Sequence, residues 1–535
     1  AMSQASSSSA GSPLSQFCTK TVVPFLTIFV FFVYLINNYG IGETIDLQKI
    51  EDQPQALLRH KEMLANSQVV GEHMADIKSG KSHIYDIIKD EDEDSADGIG
   101  AGSNNPMSMD EVLSFLNDFI ANLHQRFIGH KQADYFEIWA LFHDYALEVL
   151  YPWDREYIKR MPERRSDGSI FLSIATYRDE NCFNTISGAY SKSKNPDMLN
   201  VGLVQQNCLE NCRSGILDQT GRMEDVPPDD DCYKLFCESE LGKPHCEAGR
   251  VRQMLINEPE SLGPYFARYI ASKLWNGEQW YMQIDAHMYF LQDWDAESIE
   301  MLKAAPSKKP VISHYPPPEE YKFANSATRA APRLCGPVFA HMDLENQIIR
   351  LEGSNNYDKL QLKTPRFAPF IAAGYFVAHS DFLREVPFDP FLPWIFMGEE
   401  ISLSARLWTH GFDIFSPSKS VTSHIYGRRK KPKFWESVHR LFHFGVHNPL
   451  QMLVLDRVKN QLGYPEAATD FVEPRTILTH LDEYSMGTTR KLEDFLKNVG
   501  LDMQKKEVIF TGWCEKGRPP PDKLEYSSLY EFLAE

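Results

Sequence analysis

The chain has 535 residues, 43% of them hydrophobic, 12% aromatic and 24% charged, and a formal net charge of −19. That length is too great for one hydrophobic core. The composition is that of globular protein, and the acidic balance excludes a nucleic-acid binder, which would carry a basic stripe.

Residues 1–20 are Ser-rich and read as a disordered cytoplasmic tail. From Thr21 to Gly42 no residue is charged, and TVVPFLTIFVFFVYLI is almost wholly apolar. About 20 such residues cross a bilayer, so 21–42 is expected to be a transmembrane signal anchor. Lys20 precedes it and Glu43 and Asp46 follow, which favours a cytoplasmic N-terminal side. A cleaved signal peptide is the alternative, but its apolar core is usually shorter and no A-x-A site follows. Residues 43–107 read as a stalk that ends in the acidic, then Gly/Ser/Asn-rich linker DEDEDSADGIGAGSNNP.

Ser108 and Glu111 form the pattern of a capping box. Val112, Phe115, Leu116, Phe119, Ile120 and Leu123 then recur at spacings of three and four, one face of a helix. A second, aromatic-rich helix is expected around 133–150. Together these give a helical stem subdomain over 108–167. From Ser169 short apolar runs end in polar turns: SIFLSIATYRDENC, MLNVGLVQQNC, QWYMQID and APFIAAGYFVAH, with helical stretches such as LGPYFARYIASKLW between them. Strands alternating with helices predict an α/β domain with a largely parallel sheet. Ligands in such sheets gather beyond the carboxyl ends of the strands. After IYGRRKKPKFW (425–435) a helix is expected through about Gln461, and a C-terminal extension over 491–535.

Nine cysteines are present, and Cys182, Cys208, Cys212, Cys232, Cys237 and Cys246 cluster in one polar stretch. An even cluster of this kind fits a disulfide framework in an oxidising compartment, with connectivity that sequence does not give. Zinc held by Cys208, Cys212, Cys232 and Cys237 is the alternative, although zinc sites more often use tighter CxxC pairs.

In QWYMQIDAHMYF an apolar run ends in Asp285-Ala286-His287. Residues two apart on a strand share a face, so a carboxylate and an imidazole would project together if the strand persists through them. That donor pair suits a divalent cation such as manganese, with positions left open for phosphate oxygens. A surface Asp beside a partly buried His is the ordinary explanation of an isolated D-x-H.

The surroundings of this triplet resemble the polypeptide α-N-acetylglucosaminyltransferases whose founding members modify hydroxyproline on a cytosolic ubiquitin-ligase subunit. The mucin-type polypeptide N-acetylgalactosaminyltransferases are more distantly similar. FLSIATYRDENC (171–182) resembles the nucleotide-facing first strand of the family, and ESLGPYFARYIASKLWNGEQWYMQIDAHMYFLQDWD (260–295) its metal-binding centre. FIAAGYFVAHSDFL (370–383) is similar to the sugar-facing segment, and GEEISLSARLWTHGFDIFSP (398–417) to the acceptor-side one. SHIYGR (423–428) is similar to the source of a third metal ligand. The resemblance runs from about 168 to 490.

It implies a GT-A-like fold, a divalent cation, UDP-GlcNAc as donor, a protein or peptide acceptor, and retention of anomeric configuration. Asp285, His287 and His424 would hold the metal. Thr176, Arg178 and Asp179 would lie near the uridine, with Arg268 facing the nucleotide and Tyr426 and Arg428 beside the diphosphate. Gly374 and Glu399 would line the sugar and acceptor pocket, with Trp408 packed nearby. Each has a plainer explanation: a core histidine for His424, a solvated turn pair for Arg178 and Asp179, dipole-complementing acids for Glu399 and Glu400. Close packing would explain Gly374, a solvated charge run Arg428, and the core Trp408.

The chain departs from the founding members in its apolar span and its cysteine-dense insertion. Both lead to an expected Golgi type II membrane protein with a lumenal catalytic domain, and a cytosolic hydroxyproline-specific enzyme is the alternative. An inactive glycosyltransferase-like scaffold and a different metal enzyme, such as a hydrolase, are the other readings.

Overall fold

The computed structural model describes residues 105–130, 132–217, 222–319, 331–339, 348–353, 364–427, 431–437, 445–509 and 514. The expected tail, membrane anchor and most of the stalk and linker lie outside the described residues. Among the described residues, no helix is long and apolar enough to cross a membrane.

Helix α1 (Met109–Ile128) opens on the expected capping box. The Ser108 hydroxyl accepts from the Glu111 backbone N–H at 3.2 Å, and the Ser108 N–H donates to the Glu111 carboxylate at 2.7 Å. Its buried face is Val112, Leu116, Phe119, Ile120 and Leu123, and Phe115 stacks on Trp153. Helix α2 (Tyr135–Tyr145) runs through a π-helical turn at Ala146–Leu150 into α3 (Tyr151–Lys159).

These three helices do not stand apart as a stem. Phe142 packs edge-on to Phe266 and to Trp394. Asp154, fully buried, accepts from the hydroxyls of Tyr269 (2.7 Å) and Tyr484 (2.9 Å) and pairs with Lys273 at 2.5 Å. A buried carboxylate persists only with such partners, and here they come from distant parts of the chain.

Among the described residues the central sheet has eight strands. In chain order its first four are β1 (Ile170–Tyr177), β2 (Leu199–Asn207), β3 (Val251–Asn257) and β4 (Trp280–Asp285). β5 (Met288–Phe290) follows β4 outside this sheet, β6 is Pro310–Ser313, and β7 (Leu334–Val338) with β8 (Arg350–Gly353) forms a separate ribbon. β9 is Arg366–Phe367, β10 Tyr375–His379, β11 Asp413–Ser416, and β12 Thr422–His424. The spatial order is β9-β11-β6-β10-β4-β1-β2-β3.

Pairs β4·β1, β1·β2, β2·β3 and β6·β11 are parallel, while β10 runs antiparallel between β4 and β6. The expected mixed α/β fold with a mostly parallel sheet is therefore present. The all-buried pattern of β2 is the signature of a strand covered on both faces. Helices α4 (Cys182–Lys192), α5 (Cys232–Glu238), α6 (Pro264–Lys273) and α7 (Trp294–Ala304) lie between the strands in sequence. Helix α6, buried from Tyr265 to Lys273, packs on β1 and β2 and carries Phe266 to the N-terminal helices. The helix expected toward Gln461 is α9 (His447–Gln461), preceded in the chain by α8 (Glu399–Thr409). α10 (Leu492–Val499) begins the expected C-terminal extension and packs on α8.

The cysteine cluster pairs as Cys182–Cys232, Cys208–Cys212 and Cys237–Cys246, and a fourth bridge joins Cys335 to Cys514. With every member of the proposed thiolate set engaged in a disulfide, a zinc site there is ruled out, since the metal ligand is the free thiolate.

Candidate active site

Strand register builds the site. Ala175 of β1 stands opposite Asp285 of β4 in the parallel ladder, so the chain leaving β1 through Thr176–Asp179 and the chain leaving β4 emerge side by side. The strand does not persist through the D-x-H triplet: β4 ends at Asp285, the backbone bends at Ala286–His287, and β5 begins at Met288. β5 pairs antiparallel with β12, with Met288 opposite His424, and the Ile425 N–H donates to the His287 carbonyl at 3.0 Å. This ribbon brings His424 to the end of β4.

Asp285, His287 and His424 offer ligand atoms that all lie within 4.8 Å of one another. His424 Nε2 is 3.1 Å from Asp285 Oδ2, and the two imidazoles meet edge-to-face at 4.5 Å. One carboxylate oxygen and two imidazole nitrogens can hold a divalent cation, and among the described residues this is the group of His, Cys, Asp and Glu so arranged. Burial pushes the Asp285 carboxyl up, but the hydrogen bond with His424 and the Arg268 charge outweigh it and hold the group well below the usual carboxylate range. Asp285 is therefore ionised, as a metal ligand must be.

The three residues line a cavity of about 450 Å³, together with Thr176, Asp179, Arg268, Gly374, Glu400, Tyr315 and Tyr426. The buried Thr176 Oγ1 has no hydrogen-bond partner among the described residues. Tyr426 lies against His424 at 4.2 Å and donates its hydroxyl to the Pro316 carbonyl at 2.7 Å. Phe434 packs edge-on against Tyr177 at the cavity wall, beside Lys433 and Trp435.

Other expected positions fall differently. Arg178 does not line the cavity and is no solvated turn residue. With a left-handed φ of 47° it turns inward, buried, and pairs with Asp229 at 2.8 Å and Glu258 at 3.2 Å. Two carboxylates raise its guanidinium affinity for protons despite the opposing effect of burial. Asp179 faces His287, with Oδ2 2.7 Å from Nδ1.

Arg268 reaches from α6 into the cavity wall, but its fork is occupied. It pairs with Asp285 at 2.8 Å and with Glu399 in a shorter contact. Glu399 also accepts from Gln283 at 3.2 Å and does not line the cavity. Burial raises its pKa while Arg268 opposes the shift. The carboxylate that faces the cavity is its neighbour Glu400, which accepts from the Tyr315 hydroxyl (2.6 Å) and the Ala373 N–H (2.9 Å). Burial pushes the Glu400 carboxyl up to about 7.

Trp408 sits at the far end of α8, against Phe495 and beneath Arg490, which is the core role. Arg428 lies outside the described residues. Sequence reasoning missed Glu400, Tyr315 and the Phe434–Trp435 wall. The doubled acid in GEEIS was the one available signal, and helix-start chemistry had explained it equally well.

Residues 169–505 match the family model described as Glycosyltransferase (GlcNAc). The match covers more than half of the chain, and the protein belongs to this family of glycosyltransferases. Among curated proteins none matches. Among solved structures the chain is similar to a crystal structure of GalNAc-T7 with UDP, GalNAc and Mn2+, at 14% identity over 63% of this chain and 60% of that one, TM-score 0.35. It is also similar to S. aureus TarS 1–349 in complex with UDP-GlcNAc, at 12% identity over 59% of this chain and 84% of that one, TM-score 0.29. The chain thus spans less than two thirds of the length of the GalNAc-T7 chain it matches.

Proposed function

We propose that the protein is a retaining, divalent-cation-dependent transferase that moves N-acetylglucosamine from UDP-GlcNAc to a Ser, Thr or hydroxyproline hydroxyl of a protein. One observation carries the reading: in a member of a GlcNAc glycosyltransferase family, one carboxylate and two imidazoles converge at the carboxyl edge of parallel strands, on the wall of a cavity. That is where an α/β sheet gathers its ligand.

Asp285, His287 and His424 would hold the cation, with Mn2+ the ion we favour. When bound, it supplies electrostatic stabilisation of the diphosphate as the sugar bond breaks, an effect larger in the transition state than in the ground state. Thr176, with an unused hydroxyl in the wall, is assigned to the nucleotide, and Tyr426 and Arg428 to the diphosphate. Gly374, on the cavity wall, is assigned to the sugar side of the pocket. Glu399 holds Arg268 and so the Asp285 carboxylate, and the carboxyl contact to sugar or acceptor passes to Glu400. Attack on the donor's front face gives retention, with the leaving phosphate accepting the acceptor proton. A trapped glycosyl adduct on Glu400 or any other carboxylate would overturn that step.

We further propose a lumenal Golgi catalytic domain anchored through 21–42, which the four disulfides support. Free thiols at these positions in the mature protein would favour the cytosol. The central experiment is a screen of UDP-sugars against a pool of Ser, Thr and hydroxyproline peptides, with and without Mn2+. GlcNAc transfer only with Mn2+ is expected. Failure to bind UDP at all would transfer the reading to another metal enzyme.

A further inference from the structure

Asp179 is separated from His287 by more than a hundred residues, yet its Oδ2 lies 2.7 Å from His287 Nδ1. The pairing follows from the β1·β4 register, which brings the turn after one strand against the bend after the other. The carboxylate is itself fixed: its Oδ1 accepts from the Asn181 backbone N–H at 2.9 Å. Its side chain is almost completely buried, while that of His287 is about one-fifth exposed. An acceptor-only group held at this distance takes the Nδ1 proton of a neutral imidazole as a hydrogen bond. The lone pair is then left on Nε2 and the ring is locked.

We infer that Asp179 is a positioning residue for the cation site, setting the tautomer and orientation of His287, and that it is not a contact to the nucleotide base. This rests on the reading of Asp285, His287 and His424 as a cation site. It separates Asp179 from Thr176, three residues earlier near the end of β1, whose hydroxyl remains available to a ligand.

The test uses the full chain and two probes, Mn2+ and UDP. Mn2+ affinity is measured by titration calorimetry or by loss of the free-ion spin-resonance signal, and UDP affinity at saturating Mn2+. Asp179→Asn and Asp179→Ala are expected to weaken Mn2+ binding about 10–100-fold, to leave UDP affinity at saturating Mn2+ within about twofold, and to leave the unfolding midpoint of the Asn variant near wild type. In 15N-labelled apo protein, the His287 Nδ1–H resonance of the wild type should be lost or exchange-broadened in the Ala variant, a change that a purely structural role would not produce. Asp179→Glu should recover part of the Mn2+ affinity. Unchanged Mn2+ affinity with weakened UDP binding would overturn the inference in favour of a nucleotide contact. Absence of Mn2+ binding by the wild-type protein would sink the function proposed above, and this inference with it.

Discussion

Gly374 presses its backbone against the Asp285 carboxylate: a Cβ at Gly374 would fall 2.5 Å from Oδ2, and the Asp285 N–H donates to the Gly374 carbonyl at 3.2 Å. The glycine is thus needed for close approach, not for backbone freedom. The carboxylate has little room to yield, since His424 holds one oxygen and Arg268 the other. Gly374→Ala should displace it by a fraction of an ångström to an ångström. An error of that size in a reacting site costs up to about 100-fold. GlcNAc transfer and Mn2+ affinity should both fall while thermal unfolding changes little. Wild-type transfer by the Ala variant would show that the close approach has no bearing on the site.

Removing a proposed ligand is the harsher experiment. His287→Ala should reduce transfer about 1,000-fold or more, because the cation is asked to supply several kcal/mol of charge stabilisation. The circular dichroism spectrum should match wild type, since the His287 ring projects into a cavity and supports no core. Near-normal turnover by a folded, Mn2+-supplied variant would contradict the assignment.

The two residues that make the site legible in sequence, Asp285 and His287, are close in the chain. His424 was reached only through the family resemblance, because its place depends on β12 pairing with β5. The strands at SIFLSIATY and QWYMQID were visible because central parallel strands are apolar throughout. The antiparallel insertion of β10 was not, because strand direction leaves no mark on an apolar run. Asp154 was invisible for the opposite reason: nothing local says that a charged residue in a helical segment is buried against Lys273, Tyr269 and Tyr484. Arg178 and Arg268 have the same history. The family resemblance implies that both face the ligand, Arg178 near the uridine and Arg268 toward the nucleotide, and both are engaged by acids of their own chain.

Glu400 makes stability depend on pH. Its carboxyl binds a proton up to about 7 in the folded protein, against 4.5 when unfolded. Between those values the native state holds the extra proton, so this group stabilises the fold fully below 4.5, and that contribution is lost as pH rises through 7. The difference amounts to on the order of 3 kcal/mol. Glu400→Gln removes the titration and keeps an amide that the Tyr315 hydroxyl and the Ala373 N–H can still address. Urea midpoints should therefore show the variant gaining on wild type between pH 5 and pH 8. An identical difference at both pH values would mean that Glu400 is ionised throughout.

Arg268 separates the structure's account from the sequence's. One guanidinium joins Glu399, buried to 2% exposure, to Asp285, and both neighbours keep it protonated despite the cost of burial. Arg268→Met would strand Glu399 without its cation, a change that typically costs about 3–5 kcal/mol. Arg268→Lys should recover only part of this, because a point-charge ammonium does not span two carboxylates as a planar fork does. The double variant Arg268→Met/Glu399→Gln removes the stranded charge along with its partner. It should regain a sizeable share of the stability by urea unfolding, since contacting residues couple, but not the transfer activity, because Asp285 still lacks its anchor. If Arg268→Met unfolds at the wild-type midpoint and loses only UDP affinity, the arginine serves the nucleotide and its two ion pairs are incidental.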